Sequence, residues 1–262
     1  MSSTRRPPAG YYRGGLAGWA QDPTVGLLGP SGLCIHEDWL RYSGGGTQDY
    51  GEVGWTRTTV GGSGATVILN TPTAATEAGI LALRTGSNAN RGATLHTAGF
   101  VQVFEPPVGM MWCTKIDMSN TTSIEAWSGL SSSSSGRVRS TDATQFVGIR
   151  YLSSVGQWEG VAKNGSGTAN ESTVNLGTHS AGTFRILGFE VVDTDGAGTP
   201  GLQFFELDAS DRRSMVRTDY GDPITDDIPE TTGLTAAGLV TLAQSQRILY
   251  QDFYSIGGRT AR

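Results

Sequence analysis

Short apolar segments alternate with glycine-containing turns along most of the chain, and this alternation constrains the fold more than any other feature. The 262 residues include 38 glycines, about double the usual share. Dipeptides such as Asn164-Gly165 and Asp195-Gly196 separate apolar segments, and they are typical of hairpin turns. Many short strands without intervening helices favour a β-sandwich or a barrel over an α/β fold.

Alternation of apolar and polar residues also predicts where the strands lie. Within Arg247–Ile256 it places Tyr250 and Tyr254 on one face and Gln251 on the other. Only Thr235–Gln244 has the character of a helix. The predicted strands are Leu33–Leu40, Thr66–Leu69, Ile80–Arg84, Gly109–Met118, Ile124–Leu130, Gln145–Tyr151, Gln157–Lys163, Thr183–Val192, Leu202–Leu207, Arg212–Arg217 and Arg247–Ile256.

The first 32 residues differ from the rest of the chain. Prolines and glycines recur there at a spacing that suits neither helix nor sheet. The segment nevertheless contains aromatic and basic side chains, which an extended arm could place against the surface of another protein. A solvated basic tail is the alternative interpretation. The predicted organisation is a docking arm over 1–32 and one domain over 33–262, with docking residues Arg5, Arg6, Tyr11, Tyr12, Arg13 and Trp19.

Charge and cysteine content narrow the class of protein. The net charge is −5. A nucleic-acid-binding domain would be expected to have a basic face, so nucleic acid is not predicted as a partner. No segment reaches the ~20 apolar residues of a membrane span, and the N-terminus does not resemble a secretory signal. Two cysteines, Cys34 and Cys113, make no disulfide framework, so buried free thiols are expected. We therefore expect a soluble protein that assembles inside a cell.

No complete catalytic motif is found in the sequence. The three histidines are far apart and have no obvious partners. Jelly-roll glycosidases place two catalytic carboxylates on one strand as Glu-x-Asp-x-Glu, and the nearest approach is Glu206-Leu207-Asp208-Ala209-Ser210, where serine replaces the third carboxylate. A surface-facing pair near a strand end is the preferred interpretation. Asp193–Gly196 resembles the start of a calcium loop but lacks the later glutamate, so a hairpin turn is predicted.

In its order of motifs, the chain resembles the concanavalin A-like (laminin-G-like) domain of virion proteins from tailed bacteriophages. The resemblance extends over most of residues 34–262. It implies an all-β jelly-roll sandwich of two antiparallel sheets, with the extended arm in front. The motifs that support it are His36–Leu40, Gly54-Trp55, Gly79–Gly86, Phe146–Arg150, Gln157–Val161, Gly182–Ile186 with Asp195-Gly196, Leu202–Leu207 and Arg247–Ile256.

The resemblance and the missing catalytic set together predict a non-enzymatic structural protein of the virion. A capsid decoration protein that docks on the major capsid protein as a trimer is the first choice. It would be assembled in the bacterial cytoplasm and would need no cofactor or metal. The alternative is a carbohydrate-binding adhesion protein of the tail or fibre, with host glycans as its partner. A glycanase is the third possibility, because the fold by itself does not determine function.

Overall fold

The structure is a computed structural model of the whole chain. It describes residues 28–29, 32–37, 39, 55–61, 66–70, 79–96, 108–133, 138, 144–208, 216–230 and 232–259. The predicted docking residues all lie outside these ranges.

The described residues form sixteen strands and one short 3-10 turn, Thr168–Asn170. The predicted all-β class is confirmed, and no described helix is long and apolar enough to cross a membrane. The strands are β1 (Leu28–Gly29), β2 (Gly32–Glu37), β3 (Thr56–Val60), β4 (Thr66–Asn70), β5 (Ile80–Arg84), β6 (Arg91–His96), β7 (Met111–Met118), β8 (Ile124–Ser131), β9 (Thr144–Leu152), β10 (Gln157–Gly165), β11 (Glu171–Thr178), β12 (Arg185–Asp193), β13 (Pro200–Asp208), β14 (Val216–Ile224), β15 (Gly233–Thr241) and β16 (Ile248–Arg259).

The strands form two antiparallel sheets. One has nine strands, seven of them in the order β1-β2-β16-β7-β12-β13-β14, and β4 and β5 join it through β16. The other has seven strands in the order β11-β10-β9-β8-β15-β6-β3. Strand β16 can serve two neighbours on one edge because it is twelve residues long. Its first half pairs with β5 and its second half with β2.

The inner faces of the two sheets enclose the main hydrophobic core. Large aromatic side chains from both sheets are fully buried there, among them Trp112, Trp158 and Phe189. One close approach between the sheets depends on a glycine, because a Cβ at Gly160 would lie 2.5 Å from the ring of Phe204. Alternation along the strands therefore places one set of side chains in this core and the other set on the outer faces.

Two sequence predictions about local structure are wrong. Thr235–Gln244 is not a helix, because most of it belongs to β15, which pairs with both β6 and β8. The predicted faces of the last strand also fail, since a bulge between Gln251 and Phe253 shifts the alternation. As a result Gln251 points into the core, where its amide donates to the Thr114 hydroxyl at 2.7 Å.

The connections between strands and the two termini of the described chain lie at opposite ends of the sandwich. Five described connections (85–90, 119–123, 153–156, 179–184 and 242–247) meet at one end, here called the loop end. Strand β16 begins there and ends at Arg259, next to Gly32. The described chain therefore starts and finishes at the opposite end, here called the terminal end. Among the described residues, pairing begins at Leu28, which lies within the last five residues of the predicted arm.

Candidate functional site: the outer face of the seven-stranded sheet

The outer face of the seven-stranded sheet carries a group of charged and aromatic side chains. In β8, Ala126 and Leu130 pack into the main core, whereas Trp127 belongs to a separate apolar cluster on the other face. The same alternation brings Arg150 of β9 and Glu159 of β10 to this outer face, since they pair with each other across the strands. The face is therefore a sheet surface assembled from four or more strands.

Four charged residues meet at one side of this face. The Nη2 atom of Arg150 lies 2.8 Å from Glu159 Oε2 and 2.8 Å from Glu171 Oε1. Lys163 Nζ is 4.0 Å from the second oxygen of Glu171, and its side chain is fully buried. Burial opposes the charged form of Arg150, but hydrogen bonds and attraction from both glutamates outweigh it and raise the pKa of the guanidinium. The two cations and two anions balance each other.

An aromatic platform lies beside the charged cluster. The indole of Trp127 lies over Gly238 of β15, where a Cβ would be only 2.1 Å from the ring. On the next strands, His96 Nε2 is 2.6 Å from the Thr58 hydroxyl. Burial lowers the pKa of His96, so the imidazole is neutral at pH 7. The platform is thus uncharged.

The part of this outer face around Trp127 and Arg150 is enclosed. Trp127 is 1% exposed and Arg150 is 5% exposed. Part of the cover is Val138, whose side chain joins the apolar cluster and whose carbonyl accepts a hydrogen bond from Arg150 Nη1 at 3.1 Å. A polymer substrate that slides along a sheet needs an open surface. Around Arg150 the structure has a buried network of charged side chains and not an open surface.

The paired carboxylates of this face do not suit glycoside hydrolysis. Such hydrolysis needs one carboxyl group that is protonated and one that is free to attack or to activate water. Glu159 and Glu171 share a single guanidinium nitrogen that lies between them. Both carboxylates are therefore engaged in the same ion pair and do not face each other across an open cleft.

Glu206, the best catalytic candidate in the sequence, serves as an inter-sheet contact. Its oxygens accept hydrogen bonds from Arg185 at 2.8 and 2.6 Å and from the Tyr220 hydroxyl at 2.7 Å. Arg185 also reaches the other sheet, where it donates to the Leu176 carbonyl at 2.6 Å. Burial acts to raise the pKa of Glu206, but its hydrogen bonds and Arg185 prevail and lower it. The predicted surface-facing pair is half right, since only Asp208 is exposed.

The Asp193–Gly196 segment is the hairpin turn that the sequence predicts. It connects β12 to β13, and Asp193 Oδ1 accepts from the amides of Gly196 at 2.8 Å and Gly198 at 3.1 Å. Hydrogen bonds from Thr199 and from nearby amides lower the pKa of Asp195. The carboxylates thus stabilise the turn itself. Within the described ranges no three acidic, histidine or cysteine side chains cluster as metal ligands would.

The remaining histidines and cysteines are placed by the tertiary structure. His179 Nε2 lies 3.1 Å from Asp117 Oδ1, so His96 and His179 do have partners, contrary to the sequence prediction. Cys113 is a buried free thiol, as predicted, and burial raises its pKa to about 12. The backbone of Cys34 is two strands away, across β16, farther than a disulfide can reach.

Taken together, the strand order, the sheets and the enclosed face define an all-β protein with a concanavalin A-like jelly-roll fold. Comparison with solved structures agrees. A protein of unknown function from Shewanella oneidensis MR-1 superposes with a TM-score of 0.60 at 12% identity, over 100% of this chain and 98% of the other.

Two glucanases share the fold. A β-1,3-1,4-glucanase (lichenase) from a mouse hindgut metagenome gives a TM-score of 0.55 at 12% identity, over 85% of this chain and 98% of its own. The Bacillus licheniformis β-glucanase gives 0.52 at 13% identity, over 87% and 98%. No protein-family description matches the sequence, and no curated protein is similar to it. Identities this low establish the fold alone.

Proposed function

We propose that this chain is a non-enzymatic structural protein of a tailed-phage virion, a capsid decoration protein whose N-terminal segment docks on the major capsid protein. The observation that supports the non-enzymatic part is that arginines form ion pairs with the glutamates of both sheets. Arg150 lies between Glu159 and Glu171, and Arg185 holds Glu206. A fold shared with glucanases is thus combined with carboxylates that are engaged in ion pairs with arginines.

The path of the chain is compatible with docking through the arm. Residue 28 lies at the terminal end, about 30 Å from the loop end if β16 rises ~3.3 Å per residue. Arg5, Arg6 and Arg13 give the first 21 residues a charge of +3 and leave −8 for the rest of the chain. A protein that binds only the assembled shell stabilises that shell.

The test is a truncated chain. Removal of residues 1–27 keeps β1 and all later strands, so the remaining body should fold and melt as the full-length protein does. It should no longer join particles that lack the wild-type protein. Incorporation at the normal level would show that the arm is not the anchor and would refute the docking proposal.

Point variants separate charge from apolar contact within the arm. Neutralising Arg5, Arg6 and Arg13 should weaken attachment most at low salt, because exposed charges are screened within about 10 Å at 0.1 M. Replacing Tyr11 and Trp19 by alanine should weaken it at every salt concentration, since apolar burial is not screened.

Two assays address the rival functions. Purified protein should release no reducing sugar from a panel of glucans, and particles without it should adsorb to host cells normally. Release of sugar would overturn the non-enzymatic assignment. Lost adsorption would favour the carbohydrate-binding alternative.

A further inference from the structure

Strand β14 forms an open edge of the nine-stranded sheet. It is the last strand of that sheet, and among the described strands it pairs only with β13. The beginning of β14 is exposed to solvent: Val216 is 61% exposed, and Thr218 and Asp219 are exposed as well. The free side of an edge strand presents backbone N–H and C=O groups with which another strand can pair. This edge is therefore a candidate interaction surface.

The opposite sheet leaves the beginning of β14 uncovered. Thr218 lies opposite Glu206, and Tyr220 lies opposite Phe204, a residue of the main core. Because side chains alternate along a strand, Val216, Thr218 and Tyr220 all belong to the inner face of the sheet. Val216 and Thr218 are nevertheless exposed, so the seven-stranded sheet does not extend over them.

The outer face of the same segment carries one cation and one anion. Arg217 lies over the ring of Phe205, 4.5 Å from its centroid, and forms ion pairs with Glu190 and Asp219. The side chains of Arg217 and Asp219 are 30% and 52% exposed. Charged side chains on an edge normally discourage pairing with other strands. Here the two charges have opposite signs and are two residues apart, so the segment is complementary to an inverted copy of itself.

Symmetry restricts how two copies of β14 can pair. A two-fold axis perpendicular to the sheet keeps inner faces on the inner side, so opposed residues belong to the same face and the axis passes beside one residue. An axis at Thr218 places Arg217 opposite Asp219 of the second copy. An axis one residue away would place two copies of Arg217, or two of Asp219, directly opposite each other, and like charges in that position are destabilising.

From these features we infer that β14 pairs antiparallel with β14 of a second copy of this chain, with the two-fold axis at Thr218. Arg217 and Asp219 then form two ion pairs between the copies on the outer face. On the inner face Val216 lies opposite Tyr220, a β-branched and an aromatic side chain that suit each other across strands. The two Thr218 hydroxyls, which both donate and accept, meet at the axis. Each copy presents the same groups, as a two-fold contact requires.

The charges on either side of this segment also suit an antiparallel pair. Residues 209–215, which lie outside the described ranges, contain one aspartate and two arginines, a net charge of +1. The other end of β14 contains Asp222, and Pro223 follows it without an N–H to donate. Antiparallel pairing brings the beginning of one strand towards the end of the other, so segments of opposite charge approach each other.

The length of the segment sets the expected strength. Five paired residues, 216–220, extend over about 17 Å, and we expect the contact to bury less than the ~800 Å² per partner of a standard interface. Exposed ion pairs contribute little free energy, but they discriminate between partners. We therefore expect a weak, reversible dimer with a dissociation constant in the micromolar range or above, which weakens as salt screens the charges.

The first experiment is sedimentation equilibrium on the full-length chain over a range of concentrations. Thr218→Lys should dimerise at least ~10-fold more weakly, because two ammonium groups would face each other at the axis. Thr218 is exposed, so the substitution should leave the melting temperature of the chain unchanged. Thr173→Lys is the matched control. Thr173 is an exposed residue of β11, the edge strand of the other sheet, and this variant should dimerise like the wild type.

The second experiment tests the register by mixing two variants. Arg217→Asp alone and Asp219→Arg alone should each dimerise more weakly than the wild type, since each places like charges opposite each other. An equimolar mixture of the two should form a heterodimer about as strongly as the wild type dimerises, because every carboxylate then meets an arginine of the other chain. Loss of dimerisation through misfolding would not be restored by mixing.

The outcomes are decisive in both directions. A wild-type protein that stays monomeric at every concentration or forms a trimer would overturn the inference. So would a dimer that is unaffected by Thr218→Lys, one that Thr173→Lys weakens equally, or a mixture that stays monomeric. None of these results bears on docking to the shell, which the removal of residues 1–27 tests.

Discussion

At the scale of single residues, arginines determine the character of the two polar clusters. Arg150 joins carboxylates from β10 and β11, and Arg185 joins Glu206 to the carbonyls of the opposite sheet. A buried charge pair contributes little net stability by comparison with apolar packing, but removing one partner leaves the other charge buried alone. The clusters are therefore sensitive to single substitutions.

Arg150→Met should destabilise the protein by roughly 3–5 kcal/mol, because it leaves Glu159 and Glu171 buried without their shared cation. The free energy of unfolding from urea titration measures this. Arg217→Met is the matched control: Arg217 pairs with Glu190 and Asp219, but its side chain is 30% exposed, so the loss should be about 1 kcal/mol or less. Equal losses of unfolding free energy in the two variants would show that burial of the Arg150 cluster does not increase its contribution to stability.

His96 should make stability depend on pH. Burial lowers its pKa in the folded state below the value of about 6.5 in the unfolded chain. The unfolded state therefore binds the proton more readily, and the contribution of neutral His96 is complete above pH 6.5 and is lost as pH falls below it. His96→Gln should flatten the melting temperature between pH 7.5 and 5.5 relative to wild type. An unchanged slope would assign the dependence to other groups.

At the scale of strands, β15 shows how packing overrides a local pattern. Its sequence has a weak helical character, yet the strand pairs along both edges. Gly238 permits the pairing because Trp127 of the neighbouring strand lies directly over it. A glycine is unfavourable inside a helix, but the close approach of the indole requires one at this position of the sheet.

Gly238→Ala should therefore destabilise the sheet by about 1–3 kcal/mol, since the new methyl group would collide with the indole of Trp127. Thermal unfolding and the intrinsic fluorescence of the tryptophans would report it. Gly233→Ala in the same strand is the control, because its Cβ would meet only an ordinary contact at 3.5 Å, with the Ser131 carbonyl. A similar loss in both variants would indicate a general effect of alanine in β15.

At the scale of the whole molecule, the terminal end and the loop end lie at opposite ends of the sandwich. Leu28 and Arg259 both lie at the terminal end, and the five described connections of the loop end face the other way. With docking at one end, the body would project its loop end outward. If docking contributed a few kcal/mol of binding free energy per copy, the sum over many copies would still affect the stability of a shell.

Particles that lack this protein should accordingly assemble and adsorb normally but rupture at a lower temperature than complete particles. Release of DNA on heating measures the difference. The Tyr11→Ala, Trp19→Ala variant should reproduce part of the effect while the isolated protein melts as the wild type does. Unchanged rupture in the absence of the protein would exclude a stabilising role.

The sequence by itself determined the all-β class and the positions of many strands, because alternation and turn chemistry are local properties. Ile80–Arg84 was predicted to the residue, and Gln157–Lys163 lies within β10. Five of the sixteen strands, β1, β3, β6, β11 and β15, were not predicted, and β14 shares only Val216 and Arg217 with the segment predicted for it. Each of these has an irregular or weakly apolar pattern.

Only the tertiary structure decided what the polar residues do. A one-residue bulge turned Gln251 into the core, and the partners of Glu206 lie on two other strands, β12 and β14. Glu159 and Glu171 were joined by an arginine that lies 9 residues from one and 21 from the other. Contacts of this kind depend on strand order and register, and neither is written in the local pattern of the chain.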